Sequence, residues 1–368
     1  MRIIHVIPNL KKGGAERIVL DICISLEKLG HSVLLITFTP EDDYKFLSKK
    51  VNKKVIYSRF TPSIFKKNSF EIDKLQSAIE EFNPDVIHTH LFEAEIALSA
   101  LNYHDAKYFT HLHDNIPQFR KFNFATLLSK TALTNYYERN IVIDKMKERQ
   151  TGVIAISEDS FSFAMNNWPK SVHKHLLHNA IDTIRFQPNE HSPDQLVLTM
   201  IGSFVQKKGQ ALAIETTAIL KKRGFDVQLN LVGDGALRNE LEQLSKRYNL
   251  FQNVKFTGNI NNPEDVLRES KIYLHTAIYE PFGLALVEAM ATGLPVVCTD
   301  GRGNRDLIQN GENGFIIHER NAEMLADKIE LLFNDPILYS NLSDKALQFS
   351  AKYDMKQYAQ KLLSIYLS

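Results

Sequence analysis

Cysteine is almost absent from this sequence, which holds only Cys23 and Cys298 among its 368 residues. Both cysteines stand inside apolar segments that are far apart in the chain. A disulfide framework is therefore excluded. The composition is typical of a protein kept in a reducing compartment, and we expect a cytoplasmic location.

Long apolar runs and an excess of one charge are missing as well. No run approaches the ~18 apolar residues that can cross a bilayer. The apolar stretch within residues 2–7 is too short for a signal peptide. The 44 basic residues nearly balance the 43 acidic ones, so we expect no nucleic acid as a partner. Any membrane contact is expected to be peripheral, at the inner face of the cell membrane.

Strands alternate with helices along the whole chain, which is typical of α/β domains with parallel sheets. A chain of 368 residues is too long for one ordinary core and sufficient for two domains. Residues 41–74 are polar and rich in lysine; we predict a solvated loop at Glu41-Asp42-Asp43 and a helix at Phe70–Phe82. The alternation predicts a first strand at Ile3–Ile7 and a helix from about Ala15 to Lys28.

The segment Tyr279–Thr299 places two carboxylates, Glu280 and Glu288, around a predicted helix start. Pro281 suits an early helical position, and Gly293 with Pro295 predicts where the helix ends. The N–H groups at the helix start predict an anion site that suits a phosphate, and they belong to Phe282, Gly283 and Leu284. Glu280 would precede the helix, and Glu288 would lie about one and a half turns into it. The spacing alone would more often mark two incidental surface glutamates.

The same letters resemble the EPFG-x4-E motif of the retaining nucleotide-sugar glycosyltransferases of family 4. The resemblance covers nearly the whole chain and is strongest from 196 to 320. It implies an α/β protein with the GT-B fold, in which two Rossmann-like domains face each other across a cleft. We accordingly predict an acceptor domain at 1–186 and a nucleotide-sugar donor domain at 187–353. The last helix, about 354–368, would return to the first domain.

The resemblance also implies donor-binding residues outside the central motif. Residues 202–209 are similar to the family's GR-x4-KG loop, in which Lys208 matches the diphosphate-binding lysine. Ser203 stands where many members carry arginine, and Lys207, Arg302 and Arg305 are the candidates to replace that cation. Gly233 and Asn259, at strand ends, are the further positions implied for the nucleoside. Gly14, in the GGAE loop of residues 13–16, is the further position implied for the diphosphate. This loop lacks the G-x-G-x-x-G fingerprint, which argues against a dehydrogenase.

Histidines recur at the ends of two predicted strands. His88 and His90 lie two residues apart, and because this is not the helical spacing of shared metal ligands, we expect local hydrogen bonds instead. His113 aligns with the family's T-x-H histidine, which lies near the reacting sugar. The resemblance alone favours it over His111 as a catalytic residue beside Glu280.

The resemblance implies transfer of a sugar, with retention at the anomeric carbon, to a saccharide or lipid-linked acceptor in surface polysaccharide or glycolipid synthesis. The nucleotide-diphosphate sugar would be the substrate, and no cofactor is expected. No D-x-D sequence follows a predicted strand, so no metal is expected either. The alternatives are a nucleotide-sugar epimerase on the same fold and a nonenzymatic nucleotide-sugar-binding protein. Glu280, Lys208 and Glu288 argue against a purely binding protein.

A basic segment, residues 117–150, has two interpretations. Its cations either form the solvated face of ordinary helices or a docking surface for anionic lipid. We favour the solvated face slightly. Peripheral membrane contact through this segment stays an open prediction.

Overall fold

The computed structural model describes residues 1–61, 68–121, 129–188 and 193–368. The chain divides into two compact units, one formed by Met1–Asn179 with Met355–Ser368 and the other by Ala180–Asp354. The observed boundary after Asn179 precedes the expected one, near residue 186, by a few residues. Both units contain a parallel sheet with helices between successive strands.

The first unit is built on a seven-stranded sheet of order β3-β2-β1-β6-β7-β8-β9. Its first half comprises β1 (Arg2–Ile7), α1 (Gly14–Lys28), β2 (Ser32–Thr37), α2 (Lys45–Ser48), β3 (Lys53–Val55), β4 (Arg59–Thr61), β5 (Asn68–Phe70) and α3 (Ile72–Phe82). The second half comprises β6 (Val86–His90), α4 (Phe92–Leu98), β7 (Lys107–Leu112), α5 (Lys130–Glu148), β8 (Gly152–Ala155), α6 (Glu158–Asn167) and β9 (Lys174–Leu176).

The second unit is built on a six-stranded sheet of order β12-β11-β10-β13-β14-β15. It comprises β10 (Leu196–Ile201), α7 (Gln210–Lys222), β11 (Val227–Val232), α8 (Arg238–Arg247), β12 (Val254–Gly258), α9 (Pro263–Arg268), β13 (Ile272–His275), α10 (Leu284–Ala291), β14 (Val296–Thr299), β15 (Gly314–Ile317), α11 (Ala322–Asn334) and α12 (Pro336–Ser350). The last helix, α13 (Met355–Leu367), belongs to the first unit, where it packs on α1.

Both sheets reverse their strand order at one point, between β1 and β6 in the first unit and between β10 and β13 in the second. Neighbouring strands in these two sheets are parallel, so their carboxyl ends meet at one edge. In open α/β sheets, ligands bind outside the carboxyl ends of the strands at such a switch point. Each unit therefore offers one natural position for a site.

Buried apolar strands make each sheet the centre of a core. Residues Ile3, Ile4, Val6 and Ile7 of β1 are fully buried, as are Leu198, Leu229 and Leu274 in the second unit. Continuous apolar burial is what a strand covered by helices on both faces requires. The alternation predicted from the sequence is thus confirmed as two parallel-sheet units.

The loop predicted at Glu41-Asp42-Asp43 lies between β2 and α2, but the elements that follow it in residues 41–74 were mostly not predicted. The segment contains α2, β3, β4, β5 and the start of α3, while residues 62–67 lie outside the described residues. Asp42 is not a solvated acid either, because its carboxylate accepts hydrogen bonds from Ser48 Oγ at 2.6 Å and from Lys53 Nζ at 2.5 Å. Short polar strands were missed because their side chains lack an apolar alternation.

Candidate functional site

Glu280 stands at the carboxyl edge of the second sheet, and its backbone is fixed by the loop after β14. Glu280 N–H donates to the Gly301 carbonyl at 2.8 Å, and Gly303 N–H donates to the Glu280 carbonyl at 3.0 Å. A Cβ added at Gly303 would come within 2.1 Å of the Pro281 carbonyl oxygen. Glycine at 303 therefore permits the close approach of two loops that orients Glu280.

The carboxylate of Glu280 has two partners in the same unit. Lys208 Nζ lies 2.5 Å from Glu280 Oε2, and His275 Nε2 lies 3.1 Å from the same oxygen. Burial alone would raise the pKa of Glu280, but the charge of Lys208 and the contact with His275 outweigh it and hold the pKa well below its usual range. Glu280 is consequently ionised at any physiological pH, and the structure brings it together with Lys208.

Lys208 is presented by a tight turn between β10 and α7. Gly209, the next residue, has φ +68°, and a Cβ there would lie 2.3 Å from the Thr276 carbonyl oxygen. Gln210 Nε2 donates to the Ser203 carbonyl at 2.9 Å and braces the start of the same loop. The Lys208 ammonium therefore comes from a loop with little room to move, while Ser203 itself is exposed.

The predicted helix start at Pro281 is wrong, because α10 begins at Leu284. Gly283 precedes the helix with φ +106°, a left-handed conformation that cannot continue a right-handed helix. Phe282 lies in the irregular segment before the helix, where it is buried and its ring lies 5.7 Å from that of Tyr353. Leu284 is the only one of the three predicted N–H donors inside the helix. Donor binding by Phe282, Gly283 and Leu284 stays a prediction.

Glu288 lies in the second turn of α10, and its charge, like that of Glu280, acts on the buried Tyr273 of β13. Burial raises the pKa of the Tyr273 phenol, and the negative charges of Glu280 and Glu288 raise it further. Both carboxylates therefore act on one buried hydroxyl, which lies 3.3 Å from Ile201 N. The sequence analysis missed Tyr273, since a tyrosine in a strand has the appearance of a core residue.

The loops that follow β10, β11 and β12 converge through glycines. Gly233 N–H donates to the Gly258 carbonyl at 3.0 Å. Gly233 has φ +136°, and a Cβ on it would come within 2.2 Å of the Gly202 carbonyl oxygen. Asn259 follows directly and is exposed. Gly233 and Asn259 are thus placed at adjacent strand ends, where their predicted contacts with a nucleoside are untested.

The three cations considered as replacements at Ser203 differ in their surroundings. Arg305 Nε contacts both Asp300 oxygens, at 2.8 and 2.9 Å. Lys207 Nζ lies 5.8 Å from the centre of the Tyr279 ring. Arg302 is exposed, and among the residues that the structure describes no carboxylate pairs with its guanidinium. Arg302 also directly precedes Gly303, so it is the cation most available beside Glu280.

Gly14 and His113 belong to the first unit. Gly14 begins α1, and the preceding Gly13 is held by Tyr44, whose hydroxyl donates to the Gly13 carbonyl at 2.8 Å. His113 follows β7 directly and is 8% exposed. Burial lowers the pKa of His113 to about 3, with Asp114 acting weakly in the opposite direction. His113 is therefore neutral at physiological pH.

His113 is one member of a cluster of buried histidines on β1, β6 and β7. We call it the histidine cluster, and its members are His5, His88, His90, His111 and His113. His90 joins two of them, since its Nε2 lies 2.9 Å from His5 Nδ1 and its Nδ1 lies 2.9 Å from His113 Nε2. The expected local hydrogen bonds are confirmed. Residues i and i+2 of a strand share a face, so the absence of helical spacing does not by itself separate His88 from His90.

The cations of the basic segment are largely engaged within the first unit. Arg139 donates to the Asn167 carbonyl at 2.6 Å, and Arg149 donates to the Leu101 carbonyl at 2.6 Å. Lys145 and Lys147 pair with acids on α5 itself. Residues 122–128 lie outside the described residues. In the described part of the chain, no helix is both long and apolar enough to cross a membrane.

Comparison with known proteins gives the same architecture. The family model described as Glycosyl transferases group 1 matches residues 181–349, and the model described as Glycosyltransferase Family 4 matches residues 12–185. A crystal structure of HepE from Anabaena, with UDP and glucose, superposes with a TM-score of 0.81 over 99% of both chains at 22% identity. The two Rossmann-like units thus define the GT-B fold.

Two curated relatives agree with the family models. A glycosyltransferase of Haemophilus influenzae is 26% identical over 94% of this chain and 94% of its own. The N-acetylgalactosamine-N,N'-diacetylbacillosaminyl-diphospho-undecaprenol 4-alpha-N-acetylgalactosaminyltransferase of Campylobacter jejuni is 26% identical over 68% of this chain and 66% of its own. The chain belongs to glycosyltransferase family 4.

Proposed function

We propose that this protein is a retaining glycosyltransferase that moves a sugar from a nucleotide-diphosphate sugar to a saccharide or lipid-linked acceptor. One observation carries the proposal: an ionised, buried Glu280 is paired with Lys208 at 2.5 Å at the switch point of the second sheet. An ionised acid beside a cation suits a substrate that carries a hydroxyl-rich sugar next to a diphosphate.

The diphosphate would be bound by Lys208 and the first turn of α10. Positive partial charge at a helix N-terminus and a lysine ammonium both favour a developing anion. Glu288, in the second turn, would accept hydrogen bonds from the ribose hydroxyls. Gly233 and Asn259 would contact the nucleoside. HepE was crystallised with UDP and glucose, so UDP-sugars are the first donors to test.

Glu280 would hydrogen-bond the sugar hydroxyls and stabilise the positive charge that develops on the ring. A carboxylate already shared between Lys208 and His275 is poorly prepared to form a covalent bond, in contrast to the nucleophile of a double displacement. We therefore favour departure and attack on the same face, with the leaving phosphate taking the acceptor proton. No metal is required in this scheme, since Lys208 supplies the counter-charge.

His113 is proposed to contact the sugar as a neutral hydrogen-bonding group. With its pKa lowered to about 3 by burial, it cannot act as a cation near neutral pH. The acceptor is proposed to be a saccharide or a lipid-linked saccharide of a surface polysaccharide or glycolipid. The Campylobacter relative, whose name includes a diphospho-undecaprenol substrate, supports including polyprenyl diphosphate sugars among the acceptors tested.

The test is incubation of the purified protein with a panel of nucleotide sugars, with and without a pool of saccharide and polyprenyl-linked acceptors. Mass spectrometry should detect a glycosylated acceptor, and proton NMR of the product should show the anomeric configuration of the donor. Conversion of the donor to an epimer without an acceptor would overturn the proposal in favour of an epimerase. Binding of donors without any conversion would indicate a binding protein.

A further inference from the structure

The histidine cluster contains more ring nitrogens than the described residues can satisfy. His111 Nδ1 and Nε2, His5 Nε2 and His88 Nε2 are buried and have no hydrogen-bond partner in the described chain. A buried polar atom without a partner costs about 1–3 kcal/mol, and native proteins rarely keep several together unless water or an ion satisfies them. The cluster therefore has the chemistry of a ligand-binding site.

We propose that His90, His111 and His113 form a binding site for one transition-metal cation of the zinc class. One nitrogen from each ring lies within 4.8 Å of those of the other two. In tetrahedral zinc sites the metal–nitrogen distance of about 2.0–2.1 Å sets the nitrogens roughly 3.3 Å apart. Metal binding therefore requires the rings to rotate toward one another, with His111 and His113 leaving their nearly parallel stack.

The hydrogen bonds around His90 bring its ring beside that of His113, whereas the stacked rings of His111 and His113 must rotate before their nitrogens converge on one ion. His5 Nδ1 holds His90 Nε2 at 2.9 Å, which leaves His90 Nδ1 directed at His113 Nε2. The rings of His111 and His113 stack with centres 4.4 Å apart and planes inclined by 9°. A partner on the second nitrogen of a ligating histidine is the usual support of a metal site.

The ligand set selects the metal. Three imidazoles suit Zn²⁺, Co²⁺, Ni²⁺ or Cu²⁺, whereas Mg²⁺ and Ca²⁺ prefer carboxylate and carbonyl oxygens. Three protein ligands also leave one position for water, as in zinc sites that remain open.

A second triad, His5, His88 and His90, meets the same distance criterion and shares His90. We place the metal in the first triad for two reasons. His113 is 8% exposed, whereas His5 and His88 are 0% exposed, so only the first triad borders solvent. The first triad also contains His111, which has no hydrogen-bond partner on either ring nitrogen in the described chain, whereas His88 Nδ1 already contacts the Tyr366 hydroxyl at 2.6 Å.

The site is independent of the donor chemistry proposed for the second unit. It would not assist the departing diphosphate, because its ligands all come from β6 and β7. Occupancy would instead engage His113, so metal and any sugar contact of that ring would compete. This last consequence alone rests on the proposed function.

The test is titration of the chelator-treated full-length protein with Co²⁺ followed by competition with Zn²⁺. We expect one equivalent of Co²⁺ to give the visible absorption of a tetrahedral site and Zn²⁺ to abolish it. His111→Gln removes a ligand whose ring nitrogens have no hydrogen-bond partner among the described residues, and it should weaken binding by more than the roughly 10–100-fold that loss of a supporting partner costs. His5→Gln should fall within that range. His104→Gln, an exposed histidine of the same unit, should bind as the wild type does.

Anomalous scattering from a zinc-soaked crystal of the wild type locates the ion without relying on any variant. Density bounded by His90, His111 and His113 is the expected result. The proposal is overturned if the wild type shows no tetrahedral Co²⁺ spectrum, if His111→Gln binds as tightly as the wild type, or if the ion lies in the second triad.

Discussion

The two switch points of this molecule hold opposite kinds of polar chemistry. In the second unit, Glu280 and Lys208 are held as an ion pair beside His275. In the first unit, buried histidines lie side by side, and burial keeps their rings neutral. The same topology thus positions a charged site in one unit and an uncharged one in the other. Fold decides where a site is, and side chains decide what it binds.

Acidification should have the largest effect, because it should lower the stability of the first unit before that of the second. Burial lowers the pKa of His5 and His113 to about 3 and that of His88, His90 and His111 well below the usual value. The unfolded chain therefore binds more protons below about pH 6.5, and the first unit loses stability from there down to the folded pKa values. Each histidine contributes up to about 1.4 kcal/mol per pH unit.

Two groups act differently in the same titration. Burial raises the pKa of Glu95 to about 7, so its ionisation lowers the stability of the first unit as pH rises from about 4.5 to 7. This single carboxyl is outnumbered by the five histidines. The pKa of Glu280 is depressed, so its contribution is present above the unfolded value and is lost only at strongly acidic pH. The second unit should therefore outlast the first.

Trp168 allows the two units to be observed separately. It is the single tryptophan of the chain, and it is buried in the first unit. Its fluorescence should change at a higher pH than the far-UV circular dichroism of the remaining structure. Coincident transitions at strongly acidic pH would contradict the assignment of neutral, buried histidines.

Removal of Lys208 should give the next largest effect. Lys208→Ala leaves the buried Glu280 carboxylate with His275 alone, and breaking a buried ion pair costs about 3–5 kcal/mol. We expect a loss of about 3 kcal/mol in the free energy of unfolding, since Lys208 keeps some solvent contact. The double variant Lys208→Ala/Glu280→Gln should recover much of it.

Lys207→Ala is the matched control, because Lys207 is the exposed neighbour in the same turn. It should change the free energy of unfolding by no more than about 0.5 kcal/mol. Urea titrations of the wild type, Lys208→Ala, Glu280→Gln, the double variant and Lys207→Ala provide the measurement. If the double variant loses as much free energy of unfolding as the two single variants together, Lys208 and Glu280 do not interact as their geometry indicates.

The sequence was sufficient for the long apolar elements and for the ion-paired loops, but not for the short polar strands or for contacts between distant side chains. The strand predicted at Ile3–Ile7 and the helix predicted from about Ala15 to Lys28 match β1 and α1 to within one residue, because an apolar run predicts the strand and apolar residues at helical spacing predict the helix. The start of α10 was misplaced because the left-handed Gly283 is a backbone choice enforced by the loop around Gly303. The histidine cluster was missed because its members come from three strands, whereas spacing along the sequence relates only one pair of histidines at a time.

A chelator should produce the smallest effect on transfer. In the proposed scheme Lys208 and the helix N-terminus neutralise the diphosphate, so excess chelator should leave the transferase rate unchanged. If the purified protein carries a metal on His113, removal of that metal by the chelator should raise the rate instead. Steady-state rates before and after chelation provide the measurement, and a complete loss restored by added metal would refute the metal-independent mechanism.

The most direct test of the account is calorimetry with a nucleoside diphosphate on wild type, Glu280→Gln and Glu288→Gln, beside steady-state kinetics with the full donor. Glu288→Gln should weaken nucleoside diphosphate binding by roughly 10-fold, or about 1.4 kcal/mol, because its carboxylate is assigned to the ribose. Glu280→Gln should bind the nucleotide nearly as the wild type does. Its turnover should fall by about 10- to 150-fold, the equivalent of about 1.5–3 kcal/mol for a hydrogen bond to a charged group. Loss of nucleotide binding in Glu280→Gln with normal binding in Glu288→Gln would contradict the assigned orientation of the donor.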